Sequence, residues 1–149
     1  MKNRRIASLL LLASLLWLPC HAKNMAVVVA KSNKTGDIST ADLAKMFTSA
    51  SQKWTDGSNV ILILPGGVSS ADAELVVERI FKMDQEEARK FLAAHRSSFV
   101  TGNSDADVLK KVESMPGAIG VVDVYSITGM INVLKVNGKL PFEPGYPLR

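Results

Sequence analysis

Ala118-Ile119-Gly120-Val121-Val122 is a strand-like segment of this 149-residue chain, and the fold can be predicted outward from it. It is a continuous apolar run rich in β-branched residues, and it directly follows Met115-Pro116-Gly117. A short run of this kind is typical of a strand that is buried on both faces of a sheet. Three further apolar runs have the same character and predict three more strands, at residues 25–30, 59–64 and 130–136.

Helical patterns separate these runs. Three of them open with a serine that an aspartate follows three residues later: Ser39 and Asp42, Ser69 and Asp72, Ser104 and Asp107. This spacing resembles a capping box, in which the serine oxygen accepts from an early helix amide and the carboxylate favours the positive helix end. Strands that alternate with helices predict an α/β fold: a single three-layer lobe, with a mostly parallel sheet and flanking helices.

The first 22 residues have the three parts of a secretory signal peptide. Lys2, Arg4 and Arg5 precede an uncharged, leucine-rich stretch, and Cys20-His21-Ala22 ends it with small residues at the first and third positions. We expect cleavage after Ala22 and export to the periplasm, which leaves residues 23–149 as one domain. A retained anchor is disfavoured because a spanning helix needs about 20 apolar residues. A lipid on Cys20 is the remaining alternative.

Charge and cysteine content exclude several classes for residues 23–149. Three of the 18 basic residues lie in the signal segment, which leaves 15 basic against 14 acidic residues. A nearly neutral domain has no electrostatic footprint for nucleic acid, so we expect no nucleic-acid partner. The single cysteine, Cys20, leaves with the signal, and no disulfide is predicted.

The sequence contains no motif of a known catalytic or metal site. It lacks the H-E-x-x-H and G-x-S-x-G patterns, and the glycine-rich residues 65–70 lack the lysine of a phosphate-binding P-loop. His95 follows Ala88, Phe91 and Leu92 at helical spacing, which indicates a partly buried structural histidine. We therefore predict a protein that is not an enzyme, with no metal and no cofactor.

Several stretches together resemble the substrate-binding proteins of phosphate ABC transporters. The segment 115–121, Met-Pro-Gly-Ala-Ile-Gly-Val, looks like that family's T-P-G-A-I-G-Y and is the most specific match. The weaker matches, in the order in which the family has them, are Ile38-Ser39 with Leu43 to Phe47, Lys53-Trp54-Thr55-Asp56-Gly57, Val60 to Gly67, Phe99-Val100-Thr101-Gly102, Val136-Asn137-Gly138 and Tyr146-Pro147-Leu148-Arg149.

The resemblance implies one lobe of the second topological type of periplasmic binding protein. Full-size relatives close two such lobes around the anion, and this chain has room for one. The family's ligand loop commonly reads G-S-G-T-R, whereas residues 66–72 here contain Ser69 and Ser70 but no arginine. Asp72 stands in the first helical turn instead, where it competes with an anion for the positive helix end.

The expected site lies beyond the carboxyl ends of the strands, where open α/β sheets bind their ligands. This places Lys31 and Ser32, after the first strand, near Gly67, Ser69 and Ser70, after the second. These five residues are the predicted ligands of phosphate or another small oxyanion. The alternative is a ligand-free interaction module that docks on a membrane transporter or sensor.

Overall fold

The computed structural model describes residues 23–49, 51–66 and 70–149. The predicted signal peptide, Gly67 and Ser69 lie outside these residues. Within them, no helix is long and apolar enough to cross a membrane. The elements in chain order are β1 (Met25–Ala30), β2 (Asp37–Ile38), α1 (Thr40–Thr48), β3 (Ile61–Pro65), α2 (Ala71–Phe81), α3 (Gln85–Ala94), β4 (Phe99–Gly102), α4 (Asp105–Ser114), β5 (Ala118–Asp123), β6 (Ile131–Val133) and β7 (Lys135–Val136).

Five strands form the main sheet in the order β4-β3-β5-β1-β6. β3 pairs parallel with both β4 and β5, whereas β1 pairs antiparallel with both β5 and β6. Four strands therefore point one way and β1 points the other. This confirms the predicted α/β class and the mostly parallel sheet. β2 and β7 form a separate parallel pair, so the predicted strand over residues 130–136 is in fact two short strands, β6 and β7.

Helices cover both faces of the sheet, as expected for a three-layer lobe. The face that contains Ala26, Val28 and Ile63 packs on α4. The opposite face, which contains Val27 and Leu62, packs on α1, α2 and α3. Ile63, Ile119 and Val121 are fully buried, as the apolar runs predicted. Ile61 is only half-buried, because it is the first residue of β3.

Gly120 in β5 lets α4 approach the sheet closely. A Cβ on Gly120 would lie 2.7 Å from Cγ2 of Val112 and 2.8 Å from Cγ1 of Val108, both on α4. Gly102, at the end of β4, meets Val108 in the same way, at 2.6 Å from Cγ2. Both glycines therefore serve helix packing.

Side chains cap the helices largely where the sequence predicted. Ser39 and Ser104 accept from the amides of Asp42 and Asp107 and begin α1 and α4. For α2 the N-cap is Ser70, one residue after the predicted Ser69, and its Oγ accepts from the amide of Asp72. The fourth helical pattern is α3, and Asp84 and Glu87 form a full capping box at its start.

One buried charge ties α2 to α3. Glu74 is 3 % exposed, and its carboxylate accepts from Nε of Arg89 at 2.9 Å and from Gln85 at 3.1 Å. The hydrogen bonds from Arg89 outweigh desolvation and lower the pKa of Glu74. Arg89 compensates the buried charge of Glu74, because an unpaired carboxylate in this position would destabilise the fold.

The last nine residues contain no helix or strand, and they pack against the rest of the lobe. Tyr146 and Leu148 are buried in the main core, and burial raises the pKa of the Tyr146 phenol. The amide of Met25 donates to the carbonyl of Leu148 at 3.0 Å. Arg79 on α2 donates to the same carbonyl at 2.5 Å and to that of Lys23 at 2.7 Å. The segments at both ends of the described chain are therefore fixed to α2.

Candidate functional site

The two ends of the main sheet carry different residues. We call the end where β3, β4 and β5 finish the carboxyl edge, and the end where they begin the amino edge. Because β1 runs the other way, Met25 lies opposite Asp123 and Val29 lies opposite Ile119. The residues before β1 therefore lie at the carboxyl edge, and those after it lie at the amino edge.

The reversed direction of β1 separates the predicted ligands. Lys31 and Ser32 follow β1 and are exposed at the amino edge, where Asn132 Nδ2 donates to the Lys31 carbonyl at 3.5 Å. Ser70 lies at the carboxyl edge, at the start of α2. The expected grouping of Lys31 and Ser32 with Ser70 is wrong, because it assumed that β1 runs parallel to β3.

Lys23 occupies the position that was expected for Lys31. Its ammonium lies 2.6 Å from Oδ2 of Asp72, in the first turn of α2, and 3.9 Å from Oδ2 of Asp123, at the end of β5. Desolvation opposes the charged form, but the hydrogen bond to Asp72 and the attraction of Asp72, Asp105 and Asp123 outweigh it and raise the pKa of Lys23. A cation therefore stands at the start of α2.

Gly66, the residue after β3, is held close to the neighbouring strand β4. Gly66 has a φ of 70°, a left-handed conformation that suits glycine, and its amide donates to the carbonyl of Gly102 at 2.5 Å. Ser70 Oγ then accepts from the amide of Asp72 at 3.2 Å, so one amide of the first turn is satisfied within the chain. The Asp72 carboxylate pairs with Lys23.

A second carboxylate occupies the start of α4. Oδ2 of Asp105 accepts from the amide of Asp123 at 3.2 Å and from Oγ of Ser126 at 2.7 Å. Asp105 thereby fixes the 3-10 turn Val124–Ser126 that follows β5. At the carboxyl edge, Asp72, Asp105 and Asp123 therefore surround Lys23. The net charge of these four described residues is negative.

Other residue types contribute little chemistry to this edge. Among residues 23–49, 51–66 and 70–149, no three His, Cys, Asp or Glu side chains are grouped to hold a metal ion. His95 lies at the end of α3, where its ring stacks on Phe91 at 4.1 Å and Nδ1 contacts the Phe91 carbonyl at 2.9 Å. These contacts give His95 the structural role that the sequence predicted.

The amino edge is built mainly from backbone contacts. The carbonyl of Gly117 accepts from the indole of Trp54 at 2.8 Å and from the amide of Ile61 at 3.1 Å. Gly117 has a φ of 81°, and a Cβ there would lie 2.0 Å from the carbonyl oxygen of Asn59. The motifs Lys53–Gly57 and Met115–Val121 of the sequence therefore meet here and serve the fold.

The sheet order and the helices on both faces define a three-layer α/β lobe with a polar carboxyl edge. Solved structures of phosphate ABC transporter substrate-binding proteins are similar to this lobe in fold, which confirms the resemblance at the level of the fold. No family model matches the chain, and no curated protein matches it.

Three of the similar structures are bacterial phosphate-binding proteins. An ABC-type phosphate transport receptor from Vibrio cholerae is 12 % identical, with a TM-score of 0.67 over 85 % of this chain and 53 % of the receptor. PstS from Borrelia burgdorferi is 22 % identical, with a TM-score of 0.62 over 80 % of this chain and 49 % of PstS. A phosphate-binding protein from Stenotrophomonas maltophilia is 16 % identical, with a TM-score of 0.63 over 80 % and 40 % of the two chains. The chain spans 40–53 % of the length of these three structures.

Proposed function

We propose that this chain is an exported, solute-binding-protein-like lobe that binds a small oxyanion such as phosphate weakly at the carboxyl edge. The observation that carries the proposal is the placement of the Lys23 ammonium at the first turn of α2. A helix N-terminus with a cation beside it attracts anions, because its first amides point outward and its dipole is positive there. Ser70 supplies a hydroxyl at the same turn.

The proposed affinity is low, for two reasons. A helix dipole contributes about 0.3–1 kcal/mol, and up to about 2 kcal/mol when partly buried, whereas a millimolar complex already needs about 4.1 kcal/mol. Charged hydrogen bonds of about 1.5–3 kcal/mol each must supply the rest. An incoming anion must also displace Asp72 from Lys23 and tolerate Asp105 and Asp123 nearby.

An NMR titration of the exported protein with phosphate and with sulfate tests this proposal. Asp72→Asn frees Lys23 and removes a like charge, so it should tighten anion binding about five-fold or more, which corresponds to about 1 kcal/mol for unit charges about 4 Å apart in water. Lys23→Gln should abolish binding, and Ser70→Ala should weaken it. Lys31→Gln is the matched control, because Lys31 lies at the amino edge.

Two outcomes would contradict oxyanion binding at the carboxyl edge. Chemical shift changes that map around Lys31 and Ser32 would move the site to the amino edge. No changes in the Asp72→Asn variant, even at tens of millimolar anion, would leave the interaction module as the function.

The second candidate function, an interaction module that docks on a membrane transporter or sensor, has an observation of its own. Tyr125 lies two residues after Asp123 at the carboxyl edge, and its side chain is 84 % exposed. Tyrosine and tryptophan are enriched at protein interfaces. An aromatic ring in this position favours contact with another protein at this edge.

A further inference from the structure

The nearly neutral total charge of residues 23–149 hides an uneven distribution. At the carboxyl edge, three aspartates surround one lysine. The segments beside the amino edge, residues 31–38, 51–60 and 130–136, contain four lysines and two aspartates. The two edges of the lobe therefore carry opposite charge, and a basic edge attracts an anionic partner.

Backbone contacts bring the four lysines to the amino edge. Lys31 and Lys34 lie in the loop that follows β1, and Lys53 lies in the segment that precedes β3, so the strand directions place all three there. The amide of Lys135 donates to the carbonyl of Gly36, near the end of the same loop, at 3.1 Å. All four lysines are exposed. We call these four residues the lysine surface.

The ammonium groups of the lysine surface have no carboxylate partner. All 14 acidic residues of the chain lie in the described part, and the ion pairs found there involve other cations. The two aspartates of these segments bind their own turns instead. Oδ1 of Asp37 accepts from the amide of Gly138 at 3.0 Å, and Oδ1 of Asp56 accepts from the amide of Ser58 at 2.8 Å. The lysines are therefore available to an external anion.

The type of cation indicates the kind of anion. Residues 31–38, 51–60 and 130–136 contain no arginine. The planar fork of arginine suits a carboxylate held in one geometry by a folded partner, whereas the lysine ammonium is a point charge on a flexible stem. Lipid phosphates are mobile and require no fixed geometry, and clusters of about four to eight basic residues bind anionic lipid surfaces.

An exposed apolar side chain next to the lysines also favours a lipid surface over a soluble polyanion. Ala30 is paired with Ile131, so the register places Met130 next to Lys31. Met130 is 63 % exposed. Proteins that lie on a membrane bury apolar side chains at the boundary between headgroups and acyl chains, with basic residues around them.

We propose that the lysine surface docks the exported lobe on the anionic phosphate headgroups of a phospholipid membrane, with the carboxyl edge facing away from the lipid. Each lysine near an anionic leaflet increases partitioning about five-fold, so the four together contribute on the order of several hundred-fold. The proposal rests on export of the chain. It does not rest on oxyanion binding, which depends on Lys23 and Ser70 at the opposite edge.

Co-sedimentation of the exported protein with lipid vesicles tests this proposal. The vesicles contain phosphatidylglycerol and phosphatidylcholine in equal parts, and the control vesicles contain phosphatidylcholine alone. Binding is expected to the mixed vesicles only, and it should weaken as salt is added, because salt screens exposed charges. Lys31→Gln and Lys135→Gln should each weaken it about five-fold. Met130→Ser should weaken it as well.

Lys90→Gln is the matched control for these variants. It removes the same charge, but Lys90 lies on α3 and is already paired with Glu86 at 2.7 Å. Because attraction to a lipid surface is short-ranged in salt, this variant should change vesicle binding by less than about two-fold. Equal weakening by Lys31→Gln and Lys90→Gln would overturn the proposal, because net charge alone would then explain the binding.

Three further outcomes would also overturn it. The first is an absence of binding to the mixed vesicles. The second is release by sodium phosphate beyond that by sodium chloride of equal ionic strength, which would show that the surface binds free phosphate. The third is binding to polyglutamate that is as tight as binding to the vesicles and unaffected by Met130→Ser, which would assign the surface to an acidic protein.

The failure of this proposal and the failure of oxyanion binding are distinguishable. Lys31→Gln should weaken vesicle binding and leave the phosphate titration unchanged. Lys23→Gln should abolish the phosphate response and leave vesicle binding within about two-fold, because Lys23 lies at the edge that faces away from the lipid.

Discussion

The two edges of the main sheet differ in what holds them together. At the amino edge, backbone and indole groups converge on the carbonyl of Gly117, and a glycine is sterically required there. At the carboxyl edge, side chains pair across element ends, as Lys23 does with Asp72 and Ser126 with Asp105. A side-chain pair at the carboxyl edge can be changed by one substitution without disturbing the backbone. A change at the amino edge disturbs the backbone of the sheet itself. Function therefore has room to vary at the carboxyl edge.

The largest effect is expected in the sheet that joins the edges. Ile119 is fully buried in β5, between β3 and β1. Ile119→Ala should lower the free energy of unfolding by about 2–5 kcal/mol, as large-to-small core changes do. Chemical denaturation measures this loss in the free energy of unfolding. A loss below about 0.5 kcal/mol would contradict the burial of Ile119 in the sheet.

Glycine substitutions compare the edges directly. Gly117→Ala forces a left-handed alanine, at about 1–2 kcal/mol, and also pushes a Cβ against the carbonyl of Asn59, so we expect a total loss of about 2–4 kcal/mol. Gly66→Ala has the same backbone problem, with a φ of 70°, but its Cβ would meet the side chain of Ser70, at 2.5 Å from Oγ. Rotation of that side chain moves Oγ but leaves Cβ of Ser70 2.7 Å from the added atom, which is a milder overlap than the 2.0 Å at Asn59. The loss should therefore be about 1–3 kcal/mol. Thermal unfolding of the two variants, measured side by side, tests this comparison. Equal losses of stability would show that the two edges do not differ in their tolerance of an added Cβ.

Asp72→Asn should have a small effect on stability. The ion pair with Lys23 is partly exposed, since the two side chains are 27 % and 36 % exposed, and such pairs contribute about 0–1 kcal/mol. The Ser70 cap stays in place because it uses the Asp72 amide. A loss near 2 kcal/mol in urea denaturation would show that the carboxylate itself stabilises α2.

The smallest effect is expected at Lys31. Its side chain is exposed at the amino edge, and a surface change away from special features stays within about 0.5 kcal/mol. Lys31→Gln should therefore change neither unfolding nor the phosphate titration. A weakened anion response in this variant would place the binding site at the amino edge.

Most of the fold was predictable because its signals are local. The apolar runs identify the core strands, and the serines before Asp42 and Asp107 identify helix starts. The direction of β1 was not predictable from its residues, because Met25–Ala30 is apolar on both faces and suits either pairing. Direction is set by the partners, β5 and β6, which lie far along the chain.

The candidate site was predictable only in part for the same reason. Ser70 follows from the helix start, but Lys23 joins it through the reversed strand. The signal that was available is a lysine two residues before the first apolar run. The four residues of the lysine surface come from three separate segments, and no spacing in the sequence groups them.

The register of β1 also has a kinetic consequence. This strand lies between β5 and β6, and it is bonded to Leu148, so every neighbour in its ladder comes from much later in the chain. Pairings of such wide sequence separation require the closure of large loops before any contact forms, which slows folding. We therefore expect β1, although it is synthesised early, to join the sheet late. Refolding from urea should be slower than that of a helical bundle of this size.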